Sequence, residues 1–305
     1  MPLNLPMDDS KDIFKTGALY VVATPIGNMG DITLRALNVL GRVDLIAAED
    51  TRHTGKLLAR HKVKGHLIAY HEHNETERTP ELLNRLKAGS AVALVSNAGT
   101  PSVSDPGYRL VNAAIDAGIN IIPIPGVSAA VSALSVAGLP TDSFVFIGFA
   151  AKKKAKRLKQ LAELAHVPRT IIFYESPRRI MTFLKEIIST MGDRYGVLCR
   201  EMTKLHEEFI RGNMSEIHSL LKERATVKGE CTLIVTGRQE TPDVSLDTIR
   251  SEIIKTHETT EGSLSALAKT IAQKYGVSKN SVYKEALKIK REMQSTTRNS
   301  KKSEP

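Results

Sequence analysis

Between residues 18 and 141, short apolar runs alternate with longer stretches whose apolar positions recur every three or four residues. The runs at 19–23, 44–48, 67–70, 92–95 and 120–124 are near-continuously apolar and too short for core helices, so they read as buried strands. The amphipathic stretches at 31–40, 51–60, 75–88, 106–117 and 127–137 read as helices. Start signals agree. Asp31 precedes the face Ile32, Leu34, Leu37 and Leu40, Thr79-Pro80-Glu81 and Asp105-Pro106 join a capping residue to proline, and Asn74 with Glu77 has capping-box spacing. Strand, helix, strand repetition predicts a mostly parallel sheet with helices on both faces.

After Thr141 the pattern changes. Strands are expected at 144–149, 170–174, 197–200, 207–211 and 231–236, with helices at 177–190, opened by Ser176-Pro177, and at 214–224. Several connections are hairpin-short, which predicts a mixed second sheet. Residues 237–245, with Pro242, read as a linker, followed by helical sequence. Leu264, Leu267, Ala268, Ile271 and Ala272 share one helical face; Gly276-Val277 turns the chain, and Ser278 caps a helix with Val282, Ala286 and Leu287 inward. This is the outline of a helix-turn-helix, although small helical bundles without a nucleic-acid role share it. The expected organisation is a flexible N-terminus (1–16), two α/β domains (17–140 and 141–238), a helical unit (245–292) and a disordered tail (293–305).

Composition narrows the class. With 41% hydrophobic and 25% charged residues, the 305-residue chain can form a packed core. The 2 cysteines, Cys199 and Cys231, lie in apolar runs, which excludes a disulfide framework and a Cys-rich zinc site. The N-terminus has no apolar run, and the longest uncharged stretch, 117–141, is broken by Pro123, Pro125 and Gly126. A soluble cytoplasmic protein with neither signal peptide nor membrane helix is expected.

Charge is uneven. Residues 1–150 hold 13 Lys+Arg against 14 Asp+Glu, residues 151–240 hold 18 against 11, and residues 241–305 hold 12 against 8, so the net +10 lies in the second half. A one-sided basic field favours a polyanion partner. The densest run is Lys152, Lys153, Lys154, Lys156 and Arg157, with Lys279, Asn280 and Lys284 on the terminal helices. Trp is absent and aromatics are 5%, which gives little support to a base-stacking platform.

Three Gly/Pro-rich loops follow strand ends: Thr24-Pro25-Ile26-Gly27-Asn28-Met29-Gly30, Ser96-Asn97-Ala98-Gly99-Thr100-Pro101 and Pro123-Ile124-Pro125-Gly126-Val127-Ser128-Ala129-Ala130. Ligands of open α/β sheets bind at that edge. None is a dinucleotide fingerprint or a Walker A loop. Glu49-Asp50-Thr51-Arg52-His53-Thr54, His71-Glu72-His73-Asn74-Glu75 and Arg200-Glu201-Met202-Thr203-Lys204 add polar groups at strand ends. His71 and His73 lack a third ligand at suitable spacing, so no metal is expected.

The ordered set of segments resembles the ribosomal RNA small-subunit methyltransferase I family, in the tetrapyrrole-methylase-like superfamily. It runs from 19–28 through Asp31-Ile32-Thr33, 48–54, His73-Asn74-Glu75, 96–101, Ser104-Asp105-Pro106-Gly107, 123–129, Ala137-Gly138-Leu139-Pro140, Tyr174-Glu175-Ser176, 200–204 and Lys228-Gly229-Glu230, and covers about residues 18–237. The sequence around Gly276-Val277-Ser278-Lys279-Asn280 is also similar to that family's tail. The resemblance implies a two-domain α/β fold with S-adenosylmethionine in the cleft between domains, a homodimer, and methylation of a cytidine ribose 2′-oxygen in 16S RNA of the small ribosomal subunit. It implies cofactor contacts from Pro25, Gly27, Ser96, Asn97, Ala98, Gly99, Ser104, Ser128 and Ala129, with Tyr174, Glu230 and Cys231 from the second domain. Asn97 departs from the family's usual Asp: it keeps an oxygen acceptor and loses the charge.

A ribose hydroxyl needs a base to become a good nucleophile. The candidates are Glu49, Asp50, His73 and Glu201. The first two have an alternative use in fixing Arg52 against RNA phosphate. Two rival readings remain at this point: a porphyrinoid C-methyltransferase, and a non-enzymatic nucleic-acid-binding regulator. The basic second half argues against the first and the three loops argue against the second.

Overall fold

The computed structural model describes residues 14–238, 245–259, 263–275, 277 and 279–300. Residues 1–13, most of the expected linker, Gly276 and Ser278 of the expected turn, and residues 301–305 lie outside the described residues.

The first half is a parallel sheet of β1 (Ala18–Val22), β2 (Leu45–Ala48), β3 (Leu67–Ala69), β4 (Val92–Val95) and β5 (Asn120–Ile124), in the order β3-β2-β4-β1-β5. Its crossovers are α1 (Leu34–Arg42), α2 (Thr51–Arg60), α3 (Glu75–Lys87), α4 (Tyr108–Asp116) and α5 (Ala129–Ala137). Alternation along the strands divides the core. Tyr20, Val22 and Ile46 pack with Val39 and Leu40 on one face, while Leu19, Leu45 and Leu94 pack with Leu82 and Leu110 on the other. This is why β2 and β4, buried throughout, are apolar without polar alternation.

The second sheet contains β6 (Phe144–Phe149), β7 (Thr170–Glu175), β8 (Tyr195–Arg200), β9 (Glu208–Asn213) and β10 (Cys231–Val235), in the order β6-β7-β10-β8-β9. Only β6 and β7 pair in parallel. Helices α6 (Lys154–Leu164), α7 (Ile180–Met191) and α8 (Met214–Lys222) supply Leu161, Phe183, Ile187 and Ile217 to a core with Phe173, Leu198 and Leu233. The opposite face is covered from the first half: Ala130, Ala133, Leu134 and Ala137 of α5 pack on Ile172, Val197, Cys199 and Ile234. Both sheets therefore belong to one compact unit ending at Gly237.

A second unit begins at Arg238. It contains α9 (Leu246–Thr259), α10 (Leu264–Tyr275) and α11 (Lys279–Ser300) around Ile249, Ile253, Leu267, Ala268, Ile271, Val282, Ala286 and Ile289. Lys274 and Tyr275 of α10 both donate to the Glu252 carboxylate of α9. Helix α11 extends beyond the expected end at residue 292. Among the described residues no helix is long and apolar enough to cross a membrane.

Local signals were misread at several helix starts. Thr33, not Asp31, caps α1, its side chain accepting from Ala36 N–H. Asn74 makes no capping bond; its oxygen accepts from His71 N–H and its amide donates to the Ala69 carbonyl. Asp105 does not cap α4, which starts at Tyr108 behind Gly107. Helix α6 was not expected, because the lysines of its first turn hide the inward positions Arg157, Leu161 and Leu164.

Candidate active site

The loops after β1 and β4 are tied together. Thr24 N–H donates to the Gly99 carbonyl at 2.8 Å, Gly99 N–H returns a bond to Thr24 at 2.9 Å, and the Thr24 hydroxyl donates to the Ser96 carbonyl. Gly99 has φ +76, a conformation that favours glycine. The loop after β5 is held from the second sheet: the Tyr174 hydroxyl accepts from Ala130 N–H at 3.2 Å. Phe146 and Phe149 pack edge-on against the Tyr174 ring.

Two adjoining cavities result. The first, of about 360 Å³, is lined by Ala98, Gly99, Ser104, Ser128, Ala129, Tyr174, Glu230 and Cys231 of the expected cofactor set, and also by Asp105, Phe149 and Glu175. This is within the range of small-ligand pockets, roughly 300–1,000 Å³. The second, of about 390 Å³, takes Pro25, Gly27, Ser96 and Asn97, together with Asp50, His53, Thr54 and Lys204. Ile26, Ala98 and Glu230 border both. The single expected set of cofactor residues is thus divided between two spaces. The Asn97 Oδ1 atom is buried without a hydrogen-bond partner.

Gly27 is needed for a crossing between the two sheets' loops. A Cβ there would stand 2.5 Å from Lys204 Cγ and 2.8 Å from Thr203 Oγ1. Thr203 Oγ1 accepts from Asn28 N–H, and Lys204 Nζ bridges Glu201 at 2.9 Å and Glu230 at 2.8 Å. Gly229, at φ +92, leaves the space into which the Glu201 side chain packs. Sequence reasoning missed Lys204, Phe149 and Asp105 as lining residues. Lys204 ends the strand-end motif already noted, while Asp105 was obscured by its resemblance to a helix cap.

The four base candidates do not converge. Asp50 caps α2 through Arg52 and His53 N–H, and its hydrogen bonds from the Arg52 side chain hold its carboxyl down at about 2. Glu201 is held below the usual carboxylate range, chiefly by the Lys204 hydrogen bond. His73 is exposed, lines neither cavity, and packs edge-on against His71. Glu49 is half-buried and accepts from the backbone N–H of Asn97 at 3.0 Å, just behind the second cavity's wall. Among the described residues no ion pair includes Glu49.

Of the expected RNA contacts, Lys152, Lys153, Lys154 and Lys156 are exposed around the start of α6. Arg157 is not. Its guanidinium is buried, grips both Glu186 carboxylate oxygens at 2.6 and 2.8 Å, and donates to the carbonyls of Ala151 and Lys152. Arg157 therefore anchors the basic segment and presents no charge to a partner. Arg52 is exposed and paired with Asp50. Lys279 and Lys284 are exposed on α11, and the Asn280 side chain lies outside the described residues. Burial pushes the Cys199 thiol up to about 12 and the Cys231 thiol to about 11, so both stay protonated at neutral pH.

Comparison with known proteins agrees with this architecture. Residues 18–218 match the family model for Tetrapyrrole (Corrin/Porphyrin) Methylases. A protein of Escherichia coli O157:H7 named ribosomal RNA small subunit methyltransferase I is 46% identical over 274 residues, 89% of this chain and 95% of its own. A protein of the same name from Vibrio cholerae serotype O1 is 44% identical over 287 residues, 91% of this chain and 97% of its own. Among solved structures, a cobalt precorrin-4 methyltransferase aligns with TM-score 0.54 at 21% identity, covering 72% of this chain and 95% of its own. A uroporphyrin-III C-methyltransferase from Thermus thermophilus, complexed with S-adenosylhomocysteine, aligns with TM-score 0.52 at 19% identity, covering 72% and 97%. At these identities the structures speak for the fold alone.

Proposed function

The chain belongs to the tetrapyrrole methylases and, within them, to the ribosomal RNA small subunit methyltransferase I family, and from this premise we propose that it methylates a cytidine ribose 2′-hydroxyl of 16S ribosomal RNA with S-adenosylmethionine. The observation that carries the reading is the pair of adjoining cavities, one for the cofactor and one for the acceptor nucleotide.

The first cavity suits this cofactor. Phe149 and Tyr174 offer aromatic surface, Ser128 and Ala129 offer accessible loop backbone, and among the described residues its lining has three acids and no Lys or Arg, as a cationic ligand requires. When bound, S-adenosylmethionine supplies an electrophilic methyl group. The protein's task is then to orient the acceptor and remove its proton. Orientation is worth roughly 7–11 kcal/mol in favourable systems. The bridge from Lys204 to Glu201 and Glu230 fixes the boundary between the cavities. Glu49 is the base we favour, since Asp50 and Glu201 are committed to cations and, although neither Glu49 nor His73 lines a cavity, Glu49 is hydrogen-bonded to the second cavity's lining residue Asn97. Glu49→Gln is expected to lower single-turnover methyl transfer about 10²-fold, with cofactor affinity from equilibrium titration changed little.

Lys152, Lys153, Lys154 and Lys156 bind the RNA backbone in this reading. Cations at a helix N-terminus oppose the macrodipole, which a phosphate partner would offset. Replacing all four by glutamine is expected to lower the slope of log K against log [salt] by about 3–4 for RNA binding, measured by filter binding. An unchanged slope removes these residues from the interface. A homodimer belongs to the same reading, supported by exposed Tyr108 and Ile115 on α4 and Val131 and Val136 on α5. Its place is the cytoplasm, with the ribosomal subunits.

Incubation of small subunits with methyl-labelled S-adenosylmethionine tests the function. Label in an alkali-resistant dinucleotide at a cytidine is expected. Transfer to a porphyrinoid with none to RNA would overturn the reading.

A further inference from the structure

The near-balanced charge of the first half conceals a segregated one. Residues 51–70 contain Arg52, Lys56, Arg60, Lys62 and Lys64, three histidines and no acid, whereas the remainder of residues 1–150 holds 8 Lys+Arg against 14 Asp+Glu. Half of this segment is α2, where a spacing of four residues sets Arg52, Lys56 and Arg60 along one side, about 6 Å apart on the helix axis. All three are exposed, as are Lys62 and Lys64 beyond the helix, while Thr54, Leu57 and Leu58 are buried on the other side. Among the described residues no ion pair includes Lys56, Arg60, Lys62 or Lys64.

Lys62 stands apart by its backbone. It follows the end of α2 with φ +56, the left-handed conformation that a helix end usually gives to glycine. Val63 N–H closes that end by donating to the Leu58 carbonyl at 2.9 Å. A lysine is strained in this conformation where a glycine is not, so the turn itself gives no reason for it. A non-glycine residue held there points to a use outside the fold. Position supplies the use. Asp50, His53, Thr54 and Leu57 of the same segment line the second cavity, and His61 Nε2 donates to the carbonyl of Met29, another lining residue, at 3.0 Å. The inner side of α2 is thus a wall of the acceptor cavity, and its outer side carries the cations.

Resting on the RNA-methylation reading above, we propose that Lys56, Arg60, Lys62 and Lys64, on the outer face of α2 and the turn after it, form a second RNA-binding surface that holds the phosphates beside the target nucleotide. Residues 51–66 expose no large apolar side chain on which a protein interface could centre. A row of cations without interspersed acids suits a phosphate backbone, which positions the RNA without reading its bases. The surface is separate from the lysines at the start of α6, which belong to the second sheet's half of the fold.

Filter binding of the full chain to 16S RNA across a salt series, paired with urea unfolding, tests the surface. Lys62→Gly is expected to lower the slope of log K against log [salt] by about 0.7–0.9, with a urea midpoint no lower than that of the unaltered protein. A lysine with a merely structural role would not give that pairing. Adding Lys56→Gln, Arg60→Gln and Lys64→Gln is expected to lower the slope by about 3 in all, with S-adenosylmethionine affinity unchanged. Cys199 and Cys231 are buried, so a hydroxyl-radical probe can be attached selectively to Lys62→Cys. With small subunits as substrate, its cuts are expected within a few nucleotides of the methylated cytidine. An unchanged slope in the fourfold variant, or cuts only far from that cytidine, would overturn the proposal and leave the function standing. No methyl transfer to RNA by the unaltered protein would remove the function itself, and this surface with it.

Discussion

Glu186→Ala is expected to destabilise the unit ending at Gly237 by about 3–5 kcal/mol, the cost of leaving a buried charge without its partner. The side chains of Arg157 and Glu186 are only 10% and 7% exposed, and their two parallel hydrogen bonds satisfy both carboxylate oxygens. Removing the carboxylate leaves the guanidinium with only the Ala151 and Lys152 carbonyls. The same bonds fix the chain entering α6, so the exposed lysines should lose their arrangement as well. Replacing both residues with leucine is expected to recover most of the loss, because a well-packed apolar pair can equal a buried ion pair. Urea unfolding followed by circular dichroism checks this through the midpoint, with the slope unchanged. A loss under about 1 kcal/mol for the single variant would mean that water reaches the guanidinium.

Gly27→Val is expected to lower methyl transfer to small subunits by about 10²-fold, the scale of an ångström misplacement near reacting groups. Cofactor affinity should change less than about tenfold, a difference under 1.4 kcal/mol. The separation follows from geometry. Gly27 borders the second cavity and not the first, and its missing side chain leaves the space filled by Lys204 Cγ and Thr203 Oγ1. A branched side chain there pushes aside the bridge to Glu201 and Glu230. Rapid-quench single-turnover transfer, with a separate titration of S-adenosylmethionine, distinguishes the two steps. If affinity falls with transfer unchanged at saturation, Gly27 acts on the cofactor and the division of the cavities is wrong.

The first sheet was legible because its central strands, β1, β2 and β4, are buried on both faces. Runs such as Leu45–Ala48 and Val92–Val95 carry no polar alternation that could be mistaken for another element. The mixed second sheet followed from short connections, such as the one from Arg200 to Glu208. Helix α6 was hidden because charge dominates its first turn, while its burial depends on an arginine paired to a distant glutamate. Roles were harder to read than places. Glu201 and Lys204 are three residues apart, but their third partner, Glu230, arrives from another strand. Asp105 looked like a helix cap because local sequence cannot show that Gly107 takes the position. The loops carrying the site were visible as Gly/Pro-rich segments. Their division into two cavities depends on Tyr174 and Lys204, supplied by the second sheet.

A crystal structure of the protein with S-adenosylhomocysteine tests the central claim most directly. The adenosyl group is expected against Tyr174 and the Ser128-Ala129 loop, with sulfur toward the boundary formed by Ile26, Ala98 and Glu230, and the space around Asn97 and Gly27 left for the acceptor. Density for the ligand in the second cavity, around Asp50 and His53, would contradict the account.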